Sequence, residues 1–175
     1  MCGIWAVLGK IYPKETSEAL LKQLSARGPE GARIIEDDMF QIGFTRLAIN
    51  GLNPEGMQPM CHNSLVWACN GEIYNSEDLA KRWQIESTGS DCSVLGPLFE
   101  ALGSQTDAKT FFQSLDGVFA MVIIDSKSGI AFIGRDPYGV RPLYVGYYLG
   151  LAGPDTQGIR PIERMVFSSE LKALS

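Results

Sequence analysis

The sequence lacks the features by which several large classes of protein are recognised. The chain has a formal net charge of -5 and contains no basic run, so it lacks the electrostatic footprint of a nucleic-acid-binding protein. No apolar run approaches the length of a membrane span. The apolar start, residues 3–8, is too short for a signal peptide and has no basic segment before it. We therefore expect a cytoplasmic protein with neither a nucleic acid nor a membrane as partner.

Metal-ligating residues are also scarce. His62 is the only histidine, and the cysteines at positions 2, 61, 69 and 92 form no C-x-x-C pair. Cys61 and His62 are neighbours, but two adjacent ligands do not make a metal site. We expect no metal and no cofactor in this chain, with reduced thiols throughout. Cys61, Cys69 and Cys92 are expected to be small core side chains.

What the chain does contain is typical of a globular protein. Hydrophobic residues make up 45% and charged residues 20% of the composition, which argues against disorder. A length of 175 residues fits one domain, residues 1–175, with enough chain to bury a substantial core.

The first four residues, Met1 to Ile4, carry the strongest chemical signal. Aminopeptidases accept a small residue such as Cys after Met, so we expect Met1 to be removed and Cys2 to become the N-terminal residue. A free thiol titrates at about 8.5 and its thiolate is the nucleophile. An α-amino group titrates at about 7.7–8.0 and can accept a proton near neutral pH. A nucleophile activated by the N-terminal amine is a recognised scheme, although many cysteines at this position are chemically idle.

The pattern of apolar residues predicts a layered domain. Strands are predicted over residues 4–8, 33–36, 39–46, 65–69, 118–125, 130–135, 143–149 and 165–168. Short amphipathic helices are expected after caps at Thr16 or Ser17, Asn75 or Ser76, Ser90 or Asp91, Thr106, and Ser169. Such a mixture indicates an α+β fold in which two stacked sheets are covered by helices.

Three local features qualify this pattern. Pro97 should kink the helix in which it lies or delay its start. Residues 150–161 are rich in Gly and Pro and predict an exposed loop. Asn70-Gly71 directly follows the strand predicted over residues 65–69, and because Asn-Gly is a strong turn dipeptide, the local sequence favours a tight hairpin turn there.

An ordered set of short motifs covers nearly the whole chain. These are MCGIWAVLG at 1–9, RGPEG at 27–31, RLAI at 46–49, MQP at 57–59, NGEIYN at 70–75, GSDC at 89–92, LDGVFAMVIID at 115–125, GRDPYGVRPLY at 134–144 and SSELKAL at 168–174. In this order they closely resemble the N-terminal glutaminase domain of glutamine-dependent asparagine synthetases. Those enzymes are class II, N-terminal nucleophile glutamine amidotransferases. Phosphoribosyl and glucosamine-phosphate amidotransferases resemble the chain more distantly.

The resemblance implies a fold and an activity. The fold would be a four-layer αββα sandwich of two mainly antiparallel sheets. The activity would be hydrolysis of L-glutamine to L-glutamate and ammonia through a thioester on Cys2, whose own α-amine handles protons. The oxyanion needs preorganised donors, which the Asn70 side-chain amide and the Gly71 N–H would supply. Gly71 also lacks a Cβ that would keep a substrate from that N–H.

The resemblance also implies a set of substrate-binding residues. Arg46 would hold the α-carboxylate of glutamine with its planar fork. Asp91 and Glu72 would hold the α-ammonium, and Leu47 and Ile49 would present backbone groups to the pocket. Taken singly, Arg46 could be a solvated surface residue and Asp91 a helix cap.

The chain departs from the pattern of these enzymes at three points. Ala26 stands where most relatives have His, and Glu30 replaces the commoner Asp. The sequence has no Ser-Gly-Gly-type pyrophosphate loop, so the synthetase domain is expected to be absent, and the ATP and magnesium of the full enzymes would belong to that domain. Ammonia would then pass to a synthetase domain or partner. Arg141 is expected to have a structural role in its turn.

Two other functions remain open at this point. One is a catalytically silent module that senses glutamine through the same pocket. The other is an amidotransferase domain that serves a different acceptor, such as a sugar phosphate. The nucleophile at Cys2 and the oxyanion donors at Asn70 and Gly71 favour an enzyme, because binding alone requires none of them.

Overall fold

The computed structural model describes residues 1–49, 52–102, 108–151 and 160–174. The strands in these ranges are β1 (Gly3–Gly9), β2 (Gly31–Asp37), β3 (Phe40–Arg46), β4 (Met60–His62), β5 (Leu65–Ile73), β6 (Gly117–Asp125), β7 (Ile130–Arg135), β8 (Tyr144–Leu149) and β9 (Ile162–Ser168). The helices are α1 (Lys14–Lys22), α2 (Ser76–Trp83), α3 (Leu95–Leu102) and α4 (Ala108–Gln113). Short 3₁₀ turns cover Pro54–Gly56, Asp91–Val94 and Leu171–Ala173.

The strands form two antiparallel sheets. The five-stranded sheet has the order β2-β3-β1-β9-β8, and the four-stranded sheet has the order β4-β5-β6-β7. Strand β1 is central to the first sheet, and Ile4, Trp5, Ala6 and Val7 are completely buried in it. Burying a large apolar side chain contributes about 1.5–3 kcal/mol, so several such contributions fix this strand. Cys2 therefore precedes one of the most firmly held elements of the fold.

Three apolar clusters show how the layers are stacked. The cluster between the two sheets includes Ile4, Phe44, Val66, Val122 and Phe167. A second cluster lies between the four-stranded sheet and α2, α3 and α4, and a third lies between the five-stranded sheet and α1. The order of layers is thus helix, sheet, sheet, helices, which confirms the predicted α+β sandwich. Within the described ranges, no helix is long and apolar enough to cross a lipid bilayer.

Most predicted elements are present, but the predicted caps at Thr16 or Ser17 and at Ser169 do not begin an α-helix. Helix α1 begins at Lys14, so Ser17 lies inside it, buried, and its hydroxyl donates to the Pro13 carbonyl oxygen over 3.2 Å. The Ser169 hydroxyl accepts a hydrogen bond from the Ile4 N–H (2.9 Å) and is followed by a 3₁₀ turn rather than an α-helix. The Ser17 hydroxyl thus bonds within its own helix end, whereas the Ser169 hydroxyl serves a residue of β1 that is distant in the sequence.

The helix ends elsewhere follow the sequence more closely. A 3₁₀ turn precedes α3, so Pro97 falls in the first turn of that helix, where its missing N–H is tolerated; the expected delay is confirmed. Asn75 does precede α2, but its amide side chain bonds to Ser114 and Asp116 instead of capping the helix. Thr106 and most of the loop predicted over residues 150–161 lie outside the described residues.

Strand β5 contradicts the hairpin turn predicted at Asn70-Gly71. The strand continues to Ile73, with Asn70 opposite Ala120 and Gly71 opposite Phe119 on β6. The partner strand extends along the whole of β5, and this tertiary pairing overrides the turn preference of the dipeptide. The two residues therefore lie within a sheet, not at its end.

Candidate active site

The Cys2 thiol is held against the backbone of the segment that follows β3. Its sulfur accepts a hydrogen bond from the Leu47 N–H (3.3 Å) and can donate to the Leu47 carbonyl oxygen (3.4 Å). The Cys2 carbonyl oxygen accepts a hydrogen bond from Arg27 Nε at 2.8 Å. Burial raises the pKa of the Cys2 thiol, and the Leu47 hydrogen bond opposes this only in part. The thiol is thus well positioned, but it needs a base before it can act as a nucleophile.

A single pocket brings together every site residue predicted from the sequence. Its lining includes Cys2, Arg46, Leu47, Ile49, Asn70, Gly71, Glu72 and Asp91. These residues come from four separate segments: the chain start, the end of β3, the second half of β5 and the turn before α3. Convergence of a thiol, amide donors, a cation and carboxylates in one depression is what a site for a zwitterionic substrate requires.

The segment after β3 is fixed by two contacts. Arg46 is the last residue of β3, and its Nη2 donates to the Asn53 carbonyl oxygen at 2.8 Å. Glu30 accepts a hydrogen bond from the Ala48 N–H at 3.1 Å. The Glu that replaces the commoner Asp therefore bonds the segment that also holds the Cys2 thiol.

The free edge of β5 explains how backbone donors reach the pocket. Strand β4 pairs only with residues 65–67, so within the described ranges β5 has no neighbouring strand on that side beyond Trp67. On this edge the Cys69 N–H donates to Gln58 Oε1 (2.6 Å), and the Ile73 N–H donates to Asp91 Oδ2 (2.7 Å). Because N–H groups of an antiparallel strand alternate between its two sides, the N–H of Gly71, midway between them, points to the same edge. That edge is the wall of the pocket.

The Asn70 side chain supplies a second donor. Asn70 is 2% exposed, and its Nδ2 has no hydrogen-bond partner among the residues that the structure describes. An unsatisfied buried amide costs about 1–3 kcal/mol, so such a group in a pocket wall is a sign of function. The residues that carry both donors, Asn70 and Gly71, thus line the same pocket as the Cys2 thiol.

Gly71 is required for a different reason from the one expected. A Cβ at this position would lie 2.1 Å from the Val118 carbonyl oxygen and 2.6 Å from the Phe119 Cα. The missing side chain thus lets β5 and β6 approach each other, whereas exposure of the N–H follows from the strand edge. Substitution here would disturb the sheet before it touched a substrate.

Asp91 links the turn before α3 to the edge of β5. Its carboxylate accepts the Ile73 N–H, and burial raises its pKa against the opposing effect of that hydrogen bond. The nearby Glu72 carboxylate raises the pKa further. Two carboxylates at one end of a pocket attract a cationic group, which would remove this repulsion.

Several residues at the site have no role in the sequence prediction. Arg27 binds the Cys2 carbonyl oxygen and pairs with Glu170 (3.6 Å). Gln58 bonds the backbone of β5. Both residues belong to motifs of the family resemblance, RGPEG and MQP, for which the sequence predicts no role. Arg141 was expected only to shape its turn, yet its side chain also lines the pocket, and its Nη1 lies 2.8 Å from Met1 Sδ.

Cys69 and Cys92 also line the pocket, whereas Cys61 and His62 are not part of its lining. Cys69 and Cys92 are buried, as expected, but Cys61 is exposed, because its short edge strand turns it to solvent. His62 pairs with Glu100 at 2.9 Å. Among the residues that the structure describes, no three His, Cys, Asp or Glu side chains form a group that could hold a metal ion.

Comparisons with known proteins agree with the geometry. The family described as "Glutamine amidotransferase domain" matches residues 1–175. The chain is 40% identical to a probable glutamine-hydrolysing asparagine synthetase of Acanthamoeba polyphaga mimivirus, over 99% of this chain and 30% of that protein. It is 35% identical to the root asparagine synthetase of Pisum sativum and 34% identical to asparagine synthetase 1 of Arabidopsis thaliana, in each case over 100% of this chain and 28% of the relative. The chain thus spans less than a third of the length of these relatives.

Proposed function

The chain belongs to the family of glutamine amidotransferase domains, and we propose that it hydrolyses L-glutamine to L-glutamate and ammonia, with Cys2 as the nucleophile. One observation carries this proposal. Asn70 lines the same pocket as the Cys2 thiol, and its buried amide nitrogen has no hydrogen-bond partner in the described part of the chain. A binding module would need neither group, whereas an enzyme that forms a tetrahedral oxyanion needs both.

The first half of the reaction releases ammonia. After removal of Met1, the α-amine of Cys2 takes the thiol proton, and the thiolate attacks the side-chain amide carbon of glutamine. Asn70 Nδ2 and the Gly71 N–H donate to the oxygen as it becomes negative. The protonated amine then gives its proton to the leaving nitrogen, so that ammonia departs and a thioester remains on Cys2.

The second half of the reaction regenerates the enzyme. The free α-amine removes a proton from a water molecule, which attacks the thioester carbon, and the same two donors stabilise the second oxyanion. Collapse expels the thiolate, which is reprotonated, and L-glutamate leaves. The raised pKa of the Cys2 thiol makes an adjacent base necessary in the first step. In the second step the base is needed to deprotonate the attacking water.

Recognition of the substrate uses the remaining residues of the pocket. The Arg46 guanidinium would bind the α-carboxylate of glutamine, and the carboxylates of Asp91 and Glu72 would bind its α-ammonium. Backbone groups of Leu47 and Ile49 complete the wall. The α-carboxylate and α-ammonium are unchanged during the reaction, so these contacts contribute to binding rather than to the chemical step.

The fate of the ammonia follows from the relatives. Their names describe asparagine synthetases, so we propose that a synthetase domain or subunit receives the ammonia. We also propose that the chain acts in the cytoplasm. Residues 1–175 would act as one domain, and the ATP and magnesium of the synthetase reaction would bind elsewhere. An acceptor such as a sugar phosphate is the alternative, and assay of candidate acceptors with ammonia supplied by the chain distinguishes the two.

The direct test combines two measurements on one preparation. Intact mass spectrometry reports whether Met1 is present, and enzymatic assays quantify glutamate and ammonia released from glutamine. Equimolar release by the processed chain is the expected result. Calorimetric binding of glutamine without any turnover would instead support the silent sensing module.

A further inference from the structure

We propose that Gln58 is a positioning residue for the oxyanion donors, acting through the backbone of Cys69. This inference rests on the proposed function. Gln58 is 5% exposed and belongs to the segment that connects the Arg46 end of β3 to β4. Its side chain lies beside β5, where the backbone of a neighbouring strand would otherwise pair with it.

Both polar atoms of the Gln58 side chain bind one residue of β5. Oε1 accepts the Cys69 N–H at 2.6 Å, and Nε2 donates to the Cys69 carbonyl oxygen at 3.0 Å. These are the two backbone groups that a paired strand would satisfy at this position. Strand β4 begins at Met60, opposite Trp67, so the amide of Gln58, which precedes the strand, continues the ladder one step towards the pocket.

The position of this contact links it to the reaction. Cys69 directly precedes Asn70, whose unpartnered Nδ2 is one proposed donor, and Gly71 supplies the other. Along the same edge of β5, Gln58 fixes one side of Gly71 and Asp91 fixes the other, at Ile73. The orientation of both donors is thus set between two side-chain clamps.

Gln58 is itself held from outside the pocket. The Arg33 guanidinium donates to the carbonyl oxygen of Met57 at 3.1 Å and to that of Pro59. These carbonyls flank Gln58 in the chain. An arginine on β2 therefore anchors the segment that carries the clamp, and the clamp in turn anchors β5.

The chemistry of the clamp makes it specific. Cys69 requires an acceptor and a donor on one planar group, and Gln supplies both. Leu has a similar shape without either atom. An ionised Glu accepts from the Cys69 N–H but repels its carbonyl oxygen, whereas a protonated Glu again carries one acceptor and one donor.

The test measures steady-state glutamine hydrolysis by processed parent, Gln58→Leu and Gln58→Glu. A displaced donor weakens the transition state more than the bound substrate, so Gln58→Leu should lower kcat by about 10–100-fold while KM changes by less than about threefold. Exposed Gln113 on α4 gives the matched control, Gln113→Leu, which should match the parent. Activity of Gln58→Glu relative to the parent should rise as the pH is lowered, while that of Gln58→Leu should not.

A double-mutant cycle separates positioning from general loosening of the fold. If Gln58 acts through the oxyanion donors, adding Gln58→Leu to Asn70→Ala should cost much less in kcat than adding it to the parent. Hydrogen exchange should show faster exchange of the Cys69 amide in folded Gln58→Leu, a result that does not depend on activity. If the parent releases no glutamate but the Cys69 amide still exchanges faster in folded Gln58→Leu, the proposed function is refuted, whereas the hold of Gln58 on β5 is confirmed.

Three results would overturn the inference. The first is an active parent with a folded Gln58→Leu variant of parental kcat. The second is a loss in kcat that is fully additive with that of Asn70→Ala. The third is failure of both Gln58 variants to fold, which would make Gln58 a residue of the core rather than of the reaction.

Discussion

The Ile73 N–H donates to the Asp91 carboxylate over 2.7 Å, so the residue proposed to bind the α-ammonium also closes the free edge of β5. The contact would couple substrate recognition to the strand that carries the proposed oxyanion donors. Burial and the charge of Glu72 both raise the pKa of Asp91, which means that this carboxyl binds a proton at a higher pH than an ordinary Asp.

A pH dependence of glutamine binding follows. Asp91 must be ionised to attract the α-ammonium, so KM should rise as the pH falls towards the raised pKa, above the usual Asp value of about 3.9. Asp91→Asn should raise KM by about 10–100-fold at neutral pH and should lose this acid limb. Steady-state kinetics from neutral pH downward provides the check, and an identical acid limb in the variant would contradict the assignment.

The same shift gives a prediction for stability without substrate. A carboxyl whose pKa is raised on folding contributes stability below its unfolded pKa, and this contribution is lost as the pH rises through the folded value. At neutral pH the charge of Asp91 therefore costs stability, and Asp91→Asn should raise the melting temperature of the ligand-free protein. Thermal unfolding at neutral pH tests this; a clear decrease in the variant would show that the ionised form is the stabilising one.

Asn70 and Arg46 should affect different kinetic constants. Asn70→Ala removes a donor used in the transition state, so kcat should fall by about 10²–10³-fold with a much smaller change in KM. Arg46→Ala removes a contact to a charge that is constant during the reaction, and should chiefly raise KM. Both variants are compared by steady-state kinetics, with circular dichroism as the control for folding. A raised KM with parental kcat for Asn70→Ala would remove the oxyanion role.

Asp136 should be important for stability rather than for catalysis. Desolvation acts to raise its pKa, but hydrogen bonds from the backbone N–H groups of Val140, Arg141, Phe119 and Tyr138 outweigh this and hold the pKa below its usual range. Asp136→Ala leaves these donors without an acceptor and should lower the free energy of unfolding by about 2–4 kcal/mol.

The pH dependence of that loss has a definite sign. A depressed pKa means that the contribution of Asp136 is present above the unfolded value of about 3.9 and disappears as the pH falls through the folded value. Urea unfolding of parent and Asp136→Ala should therefore give a difference at neutral pH that shrinks in acid. A difference that is constant with pH would argue against an ionised Asp136 in the fold.

The sequence was sufficient for elements that are determined by their own residues. The apolar run of β1 and the two apolar arms of the β6–β7 hairpin predicted these strands, because local burial dictates them. The sequence was insufficient where pairing with a distant segment determines the local structure. Asn70-Gly71 has the local preference of a turn, but pairing with β6, some fifty residues away, holds it in a strand.

Sequence patterns also could not predict which side chains hydrogen-bond to a backbone group in place of another backbone group. Ser169 resembles a helix cap, yet its hydroxyl serves the Ile4 N–H. Gln58 belongs to the MQP motif, but its two hydrogen bonds to Cys69 depend on the position at which β4 begins to pair with β5. The residues of the pocket could be predicted only from the family resemblance, because they lie in separate segments that hydrophobic periodicity does not bring together.

Processing of the N-terminus should decide activity. Met1 lines the pocket, with its sulfur 2.8 Å from Arg141 Nη1, and while it is present the Cys2 nitrogen is an amide that cannot serve as a base. Protein that retains Met1 should be inactive and should gain activity on treatment with methionine aminopeptidase. Specific activity is compared with the processed fraction from mass spectrometry, and equal activity at different fractions would contradict the amine's role.

The most direct test of the central claim is glutamate production by Cys2→Ala. In the described part of the chain, the Cys2 sulfur hydrogen-bonds to the Leu47 backbone. Replacing Cys2 with Ala removes the proposed nucleophile. Circular dichroism and the melting temperature should remain close to those of the processed parent, because the side chain is only partly buried. The account predicts that glutamate release from glutamine falls to the rate without enzyme; release by folded Cys2→Ala at a rate near that of the parent would contradict it.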